Sequence, residues 1–543
     1  MEGIHTGTRP SEILQGAVDC GQAELAEAAY EVAEIADVLL THHTYAGKAD
    51  SEKALAYTCA LINLIEELKQ RTTDWSQLKK LQNAAELSAS WLKPFFENSP
   101  EKRKAFSDYI QTNTTNRFPW EVARPTPTSL ALLYNFSPFQ DTGATVASKR
   151  LRDFSETFDV IACSFLHKKK QDNTVELIAE PYVASKYFLQ LPPSWASWEP
   201  FKAFAIRSSK YAQKKHALHQ YERVYSRAMW APSLYAGYMF KRNNPQVEWV
   251  AEFSDPLSLD VEGKARGTII PDDDFSRMLT SDLAEKYPLY NSSAQTVFSL
   301  PELLVYAFAD KIIFTNSHQY STMVNAILCP ELRQRVEERA VISNHPTLPR
   351  GYYTKLQPAL NSDENKLNLG YFGEFYSSRS IREVTSAIRA LPKPLRERVH
   401  LHVFTNYIPA TEGNRRPRNF SKKQYEELVK RAYDGVGAEG IEEHVTFNAS
   451  LPFLEFLATT DKLDYLIVND AQSGSHHKVN PYLPSKWSDY NGSTANTWAF
   501  VEENSILSGK PATVKTPVGD AYKARVALWE MILDKFPTIQ VEV

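Results

Sequence analysis

The chain has 543 residues, of which 43% are hydrophobic and 23% are charged, and its formal net charge is -4 at pH 7. A chain of this length is too long for one hydrophobic core, and its composition is typical of a folded protein with several domains. The slight negative charge gives no general electrostatic reason to bind nucleic acid, so we expect no DNA or RNA partner.

Cysteine usage and hydropathy indicate the cellular compartment in which the protein is expected. The four cysteines (Cys20, Cys59, Cys163 and Cys329) lie far apart and form no paired motif, so neither a zinc site nor a disulfide framework is indicated. The N-terminus has no basic region followed by an apolar core, and no apolar run approaches the roughly 20 residues that span a bilayer. We expect a cytoplasmic protein, with the inner face of the membrane and peripheral contact left open.

The N-terminal part of the chain carries helical periodicity without strand signals. Between about residues 12 and 98, apolar side chains recur at helical spacing with glutamates largely between them. Residues 1–125 are therefore predicted to form an all-helical module. Its acidic polar face would be repelled by anionic lipid, so packing on the rest of the chain, self-association or docking of a partner is preferred over a membrane-surface role.

From Ser129 onward, short apolar runs alternate with helical stretches, the pattern of a parallel α/β sheet. The runs before residue 350 are 130–136, 159–163, 247–253, 311–315 and 340–343, and those after it are 367–373, 399–404, 444–447, 464–468, 497–501 and 511–515. We predict an α/β fold with two doubly wound, Rossmann-like domains at residues 126–350 and 351–520. A last helix within residues 521–543 is expected to pack back toward the first of them.

Ligands of doubly wound sheets bind at the carboxyl ends of the strands, and the segment 480–490 carries residues suited to a diphosphate there. A helix cap at Ser485 would expose backbone N–H groups, and Lys486 would add positive charge. Asp489 could accept hydrogen bonds from ribose hydroxyls. The segment therefore predicts a site for a nucleoside diphosphate.

Two further strand-to-helix junctions suit the same ligand. At the start of the second domain, Gly373 lets the backbone approach a ligand and Arg379 could reach a phosphate. In the first domain, Gly143, Ala144 and Thr145 leave room for a sugar or phosphate beside a helix N-terminus. On these residues alone, an ordinary turn and a plain structural loop remain the alternatives.

Three stretches together resemble GT-B-fold glycosyltransferases, in particular the bacterial retaining enzymes that build cell-envelope and capsular polysaccharides. They are the loop Asn135-Phe-Ser-Pro-Phe139 with Gly143, the segment from Leu369 to Arg379, and Leu483-Pro-Ser-Lys-Trp-Ser-Asp-Tyr490. The resemblance covers residues 128 to 535. It is specific in the second half of that range and general in the first, and it leaves the N-terminal module outside.

The resemblance implies transfer of a sugar from a nucleoside-diphosphate sugar to a hydroxyl of a glycan or lipid-linked acceptor, without a metal or another cofactor. Arg379 and Lys486 would neutralise the diphosphate. The donor site would include Gly143, Ala144, Thr145, Gly373, Asp470, His476, Pro484, Ser485, Asp489 and Tyr490. Many members carry two glutamates around the last segment, and Pro481 stands in the first of those places. The contact to the sugar is therefore expected from Asn469, from Asp470 or from the insertion 474–478, which contains His476.

The stereochemical outcome and two other functions stay open. Retention follows from the resemblance, and if transfer inverts, Asp255 is the expected general base. A nucleotide-sugar epimerase of the same fold is one alternative. A non-catalytic scaffold, in which the helical module assembles biosynthetic enzymes, is the other.

Overall fold

The computed structural model describes residues 26–34, 48–90, 92–113, 118–288, 295–375, 380–406, 421–473 and 476–539. Its internal contacts divide the chain into two compact units. The first comprises residues 1–129, 151–159 and 177–186, and the second comprises residues 130–150, 160–176 and 187–543.

The first unit is helical in its described N-terminal part, where no strand precedes Ser129. Residues 26–34 are helical, followed by α1 (Lys48–Arg71), α2 (Trp75–Ser90), α3 (Lys93–Asn98), α4 (Pro100–Asn113) and α5 (Trp120–Ala123). Two apolar clusters form its core. One joins Ala29 and Ala33 to Ile65 and Leu81, and the other centres on Phe106 and further aromatic rings. Of the apolar stripe predicted from the periodicity, Ala29 is buried and Val32 is partly buried against the same cluster.

A buried arginine ties the returning segments into this unit. The Arg103 side chain is 1% exposed and donates to the Thr157 hydroxyl and the Ser155 carbonyl. Its guanidinium lies 5.1 Å from the centre of the Tyr182 ring. Burial lowers the pKa of Arg103 to about 10. Residues 151–159 and 177–186 therefore contribute polar partners to the helical unit.

A seven-stranded sheet has the order β3-β2-β1-β4-β5-β6-β7. Its strands are β1 (Ser129–Leu133), β2 (Phe158–Cys163), β3 (Val183–Leu189), β4 (Arg223–Ala228), β5 (Glu248–Phe253), β6 (Lys311–Phe314) and β7 (Ala340–Ile342). The helices are α6 (Thr142–Phe154), α7 (Glu176–Ala179), α8 (Trp198–His219), α9 (Pro232–Asn243), α10 (Asp274–Lys286), α11 (Ser299–Phe308), α12 (Ser317–Asn325) and α13 (Pro330–Arg339). The β4–β5, β5–β6 and β6–β7 pairs are parallel. We call this part the first sheet domain.

The second sheet domain repeats the same strand order with six strands, β10-β9-β8-β11-β12-β13, in which every pair is parallel. Its strands are β8 (Leu367–Phe372), β9 (Val399–Thr405), β10 (Val445–Ala449), β11 (Tyr465–Asn469), β12 (Asn496–Val501) and β13 (Val514–Pro517). Its helices are α14 (Arg382–Ala390), α15 (Lys393–Arg396), α16 (Lys422–Val436), α17 (Phe453–Thr460), α18 (Lys486–Tyr490) and α19 (Ala521–Lys535).

Two doubly wound parallel sheets in tandem confirm the predicted GT-B type of fold. Two strands, β3 and β4, were absent from the sequence prediction. The last helix also differs from the expectation, because Ala524, Leu528 and Met531 of α19 are buried in the core of the second sheet domain itself. The expected return of this helix toward the first sheet domain is therefore wrong for the described residues.

Candidate functional site

A cavity of about 640 Å³ lies where the carboxyl ends of strands from both sheets meet. Its walls come from the ends of β8, β9 and β11 and from the loops that follow β1, β2 and β10. The volume falls within the range of small-molecule sites, about 300–1,000 Å³. Open α/β sheets bind ligands at this edge, so the fold places the cavity where a ligand is expected.

Two lysines share one carboxylate in the cavity wall. Lys149 of α6 is 1% exposed, and its Nζ lies 2.9 Å from Asp489 Oδ1 and 2.9 Å from Ser488 Oγ. Lys486 Nζ lies 3.8 Å from Asp489 Oδ2. Since two ammonium groups face a single carboxylate, this trio carries one excess positive charge. An anionic group in the cavity would complete it.

Lys486 is the member of the trio that reaches the open part of the cavity. About a third of its side chain, 33%, is exposed, and its Nζ lies 4.1 Å from the centre of the Phe456 ring. Burial lowers the pKa of Lys486, while Asp489 acts in the opposite direction. The helix that begins at Lys486 has only five residues, and Ser485 makes no side-chain cap. The predicted serine cap is therefore wrong, and the cation is the main attraction for an anion here.

The basic run after β2 also reaches the cavity, although the predicted site residues include none of its lysines. Lys169 and Lys170 both line it. Lys169 forms an ion pair with Asp141, and its Nζ lies 5.3 Å from the centre of the Trp230 ring. Asp141 Oδ1 also accepts a hydrogen bond from the Gly143 backbone N–H at 2.7 Å. This corner is thus fixed by internal pairing, and Lys170 is an exposed cation at its edge.

Each of the four carboxylates that line the described part of the cavity accepts a hydrogen bond from the protein. Asp141 and Asp489 are paired with lysines as above. Asp172 Oδ2 accepts from the Phe453 backbone N–H at 2.7 Å, and Glu374 Oε1 accepts from Asn406 Nδ2 at 2.9 Å. No carboxylate among these four is left without a protein donor to act as a ready general base.

Hydrogen bonds across the cleft hold the two sheet domains together beside the cavity. In addition to the bonds that Lys149 donates and Asp172 accepts, Asn316 Nδ2 donates to the Pro481 carbonyl at 3.0 Å, and His318 Nδ1 lies 3.2 Å from the Asn480 carbonyl oxygen. Pro481, which stands where a glutamate was expected, thus contributes its backbone to the contact between domains.

The structure brings seven of the thirteen predicted site residues to the cavity wall: Thr145, Gly373, Pro484, Ser485, Lys486, Asp489 and Tyr490. Arg379 lies outside the described residues. Gly143 and Ala144 lie behind the wall. A Cβ atom at Gly143 would come within 2.9 Å of Met229 Sδ, which explains the need for glycine there.

The other three predicted residues do not line the cavity. Asp255 and His476 are exposed on other parts of the second unit. Asp470 is 1% exposed and accepts hydrogen bonds from the Ser505 hydroxyl at 2.5 Å and from the Glu502 backbone N–H at 2.9 Å. The environment of Asp470 is that of a structural carboxylate, and the sugar contact expected of it has no geometric support.

The residue that sequence reasoning missed is Lys149. It lies in the middle of α6 within the unremarkable run Ala147-Ser-Lys-Arg150. Its flanking residues, Ser148 and Arg150, are polar, so the sequence offered no signal that Lys149 is buried and needs a carboxylate partner. That partner, Asp489, lies 340 residues further along the chain.

The sequence matches no protein family and no curated protein in our comparisons. Among solved structures, it is similar to a sucrose-phosphate synthase from Thermosynechococcus elongatus, with 11% identity, a TM-score of 0.44, and coverage of 75% of this chain and 90% of that one. A UDP-GlcNAc 2-epimerase from Neisseria meningitidis bound to UDP-GlcNAc shows 7% identity, a TM-score of 0.42, and coverage of 75% and 92%.

A third similar structure, trehalose-6-phosphate from E. coli bound with UDP-2-fluoro glucose, shows 9% identity, a TM-score of 0.43, and coverage of 76% and 92%. At TM-scores below 0.5 these similarities carry no argument about activity. Among the described residues, no helix is both long and apolar enough to cross a bilayer.

Proposed function

We propose that the protein is a glycosyltransferase that moves a sugar from a nucleoside-diphosphate sugar to a hydroxyl of a glycan or lipid-linked acceptor. The observation that carries this proposal is the excess positive charge of Lys149 and Lys486 around Asp489, at the edge where doubly wound sheets bind nucleotides. A diphosphate is the anion that this position and this cavity volume suit best. Synthesis of cell-envelope or capsular polysaccharide is the setting that the sequence resemblance favours.

The chemistry asks the protein to stabilise a departing diphosphate while the anomeric carbon gains positive character. Electrostatic stabilisation by fixed cations is the largest contribution that such a site can make. Lys486 would contact the phosphate oxygens directly. Lys149, held by Asp489 and Ser488, would act indirectly. Because it shares the Asp489 carboxylate with Lys486, the positive charge of Lys486 is only partly compensated. Arg379 remains a proposed second phosphate ligand.

The state of the carboxylates bears on the stereochemical outcome. An inverting transferase needs a general base beside the acceptor hydroxyl. Asp255 was the expected base, but it does not line the cavity. The four carboxylates that line it, among the residues that the structure describes, all accept hydrogen bonds from protein donors. Retention is therefore the outcome we propose, with the leaving phosphate as the group that takes the acceptor proton.

Asp489 has a different proposed role from the one the sequence suggested. Its Oδ1 is occupied by Lys149, and its side chain is 8% exposed. We assign it to hold the two lysines in place. The ribose contact stays a proposal, together with nucleoside contacts from Thr145, Gly373 and Tyr490.

The test is a binding panel of nucleoside diphosphates and their sugars, read by thermal shift and calorimetry. We expect one class to stabilise the protein, and Lys486→Ala to weaken its binding about 10- to 100-fold, the effect of one lost hydrogen bond between charged groups. Lys478→Ala is the matched control, because Lys478 is exposed on the neighbouring segment and does not line the cavity. Equal effects of the two variants, or no binding of any nucleotide, would overturn the site.

Turnover then separates the enzyme classes. A labelled nucleotide sugar is incubated with and without a panel of glycan and lipid-linked acceptors. A transferase releases nucleoside diphosphate at a rate that depends on the acceptor. An epimerase converts the sugar with no acceptor present, and a scaffold binds the donor without converting it, so either result contradicts the proposal.

A further inference from the structure

A second, smaller space lies in the first sheet domain, between the carboxyl ends of β1 and β4. These strands are neighbours in the sheet, and the chain leaves them in opposite directions, toward β2 and toward β5. Such a point of reversal is where doubly wound sheets open a crevice. The space has a volume of about 10 Å³, which suits about one water-sized group. We call it the side chamber.

An asparagine in the side chamber has no partner. Asn135 is 4% exposed, and neither its amide oxygen nor its amide nitrogen has a hydrogen-bond partner among the described residues. Leaving a buried amide unpaired is costly, since both its donor and its acceptor have been removed from water. The group that completes Asn135 must therefore offer an acceptor and a donor together.

A full positive charge borders the same space. Arg227 lines the side chamber and is 5% exposed. Its Nε lies 3.3 Å from Glu252 Oε1, but Arg150 Nε also lies 3.0 Å from Glu252 Oε2. Two guanidinium groups thus share one buried carboxylate.

The neighbouring histidine does not change this balance. His345 Nε2 lies 3.2 Å from Arg227 Nη2. Burial, and to a smaller extent the positive charge of Arg227, lowers the pKa of His345 well below its ordinary value. His345 is therefore neutral at pH 7, and the excess charge of the two arginines is positive.

The side chamber adjoins the large cavity. Met229 lines both spaces, and Gly143 packs against it so closely that any side chain at that position would collide. Ser233 adds a hydroxyl whose oxygen already accepts from the Tyr134 backbone N–H at 2.9 Å. A ligand group that reaches the side chamber from the cavity must therefore pass Met229, and the Ser233 hydroxyl can keep its hydrogen bond.

We propose that Asn135 and Arg227 form a subsite for one oxygen of an acidic group, as in a sugar phosphate or a sugar acid, and that this group is part of the acceptor. That oxygen is the single water-sized group that fills the side chamber, and it accepts from Arg227 and from the Asn135 amide nitrogen. Where this oxygen carries the acidic proton, it donates that proton to the Asn135 amide oxygen. The assignment to the acceptor rests on the proposed function, whereas the binding of the anion does not.

The experiment compares three probes that differ in one group: a hexose, its 6-phosphate and its 6-carboxylate. Binding is measured by calorimetry in the presence of saturating nucleoside diphosphate, so that the lysines of the large cavity are already occupied. We expect the wild type to bind at least one anionic probe about tenfold or more tightly than the neutral hexose, the gain of a charge-assisted hydrogen bond. The stronger of the two anions identifies the phosphate or the acid.

Two variants locate the effect. Asn135→Leu removes an unpaired buried amide and keeps the side-chain size, so we expect no fall in melting temperature and a loss of the anion preference. Arg227→Met should also lose the preference, since Arg150 and Glu252 remain as a balanced pair. Asn244→Ala is the control, because Asn244 is equally buried but donates to the Phe240 carbonyl. If Arg227→Met does not fold, Asn135→Leu decides.

The outcomes distinguish this inference from the proposed function. Nucleotide binding without an anion preference, or a preference that both variants keep, would overturn the subsite and leave the glycosyltransferase proposal standing. The side chamber would then hold only water. An anion preference that depends on Asn135, in a protein that binds no nucleotide, would support the subsite and overturn the glycosyltransferase proposal.

Discussion

The most stringent test of the buried charges is the substitution Glu252→Gln. Glu252 is 0% exposed, and its two oxygens accept from Arg150 at 3.0 and 3.3 Å, from Arg227 at 3.3 Å and from the Tyr225 hydroxyl at 2.6 Å. Glutamine preserves the shape of the side chain but removes the charge. Two buried guanidinium groups would then lack a counter-ion.

The size of the effect follows from the pKa of the carboxyl group. Burial alone would raise the pKa of Glu252, but the charges of Arg150 and Arg227 and the hydrogen bonds from Arg150 and Tyr225 lower it from 4.5 to about 2. A shift of that size corresponds to about 3 kcal/mol, in line with the 3 to 5 kcal/mol typically lost when one partner of a buried ion pair is removed.

The pH dependence has a definite sign. Because the pKa of Glu252 is lower in the folded state, its contribution is fully present above pH 4.5 and is lost as the pH falls toward 2. We expect Glu252→Gln to lower the free energy of unfolding by about 3 kcal/mol at pH 7 and by about 1 to 1.5 kcal/mol at pH 3.

Scanning calorimetry is the suitable assay, since it resolves separate transitions in a protein with several domains. The transition of the first sheet domain should fall by about 6 to 12 °C at pH 7. The control is Glu248→Gln on the same strand, where the pair with Arg223 is partly exposed and should contribute less than about 1 kcal/mol. Equal losses in the two variants, or an effect of Glu252→Gln that does not shrink at pH 3, would refute the reasoning.

Two further outcomes are expected in the same calorimeter. Gly237→Ala should destabilise the first sheet domain by about 1 to 3 kcal/mol, since a Cβ there would lie 2.5 Å from Trp249 Nε1. Gly435→Ala should stabilise the second sheet domain by up to about 1 kcal/mol, because a Cβ there would meet nothing within 4 Å. A change of the same sign in both variants would contradict the packing described for the two glycines. Burial and the neighbouring His400 lower the pKa of His402 from 6.5 to about 3. The contribution of neutral His402 to the free energy of unfolding is therefore present above pH 6.5 and falls as the pH drops below that value. Between pH 7 and pH 5, the free energy of unfolding should fall by about 2 kcal/mol less in His402→Gln than in the wild type. Equal falls in the two proteins would exclude His402 as the cause.

Among the strands that the sequence predicted, β1 and β11 are fully buried and mainly apolar. The two that it missed break that pattern for physical reasons. β3 is an edge strand, and its middle residues are only half-buried. β4, Arg223-Val-Tyr-Ser-Arg-Ala228, is central and buried but carries arginines, because Arg227 forms an ion pair with Glu252 on the next strand. The hydropathy of a single sequence does not reveal an ion pair between neighbouring strands.

The candidate site shows the same limit. Lys486 and Asp489 lie in one short segment whose composition predicts an anion site. Lys149 and Asn135 are recognisable only from the fold. The first pairs with a carboxylate on the other sheet domain, and the second is distinguished by the hydrogen bonds that it does not make. Motifs along the chain therefore indicated the proposed nucleotide side of the cleft better than the proposed acceptor side.

The division into units has a consequence for how the helical N-terminal region can be studied and how it can have been acquired. Residues 151–159 and 177–186 belong to its compact unit and also supply the first residues of β2 and β3. Cutting the chain near residue 125 would take Arg103 away from Ser155, Thr157 and Tyr182. The helical N-terminal region therefore cannot be removed without loss of contacts in its own compact unit. Truncation would test folding, so the role of the region is better tested with substitutions at exposed positions such as Trp75.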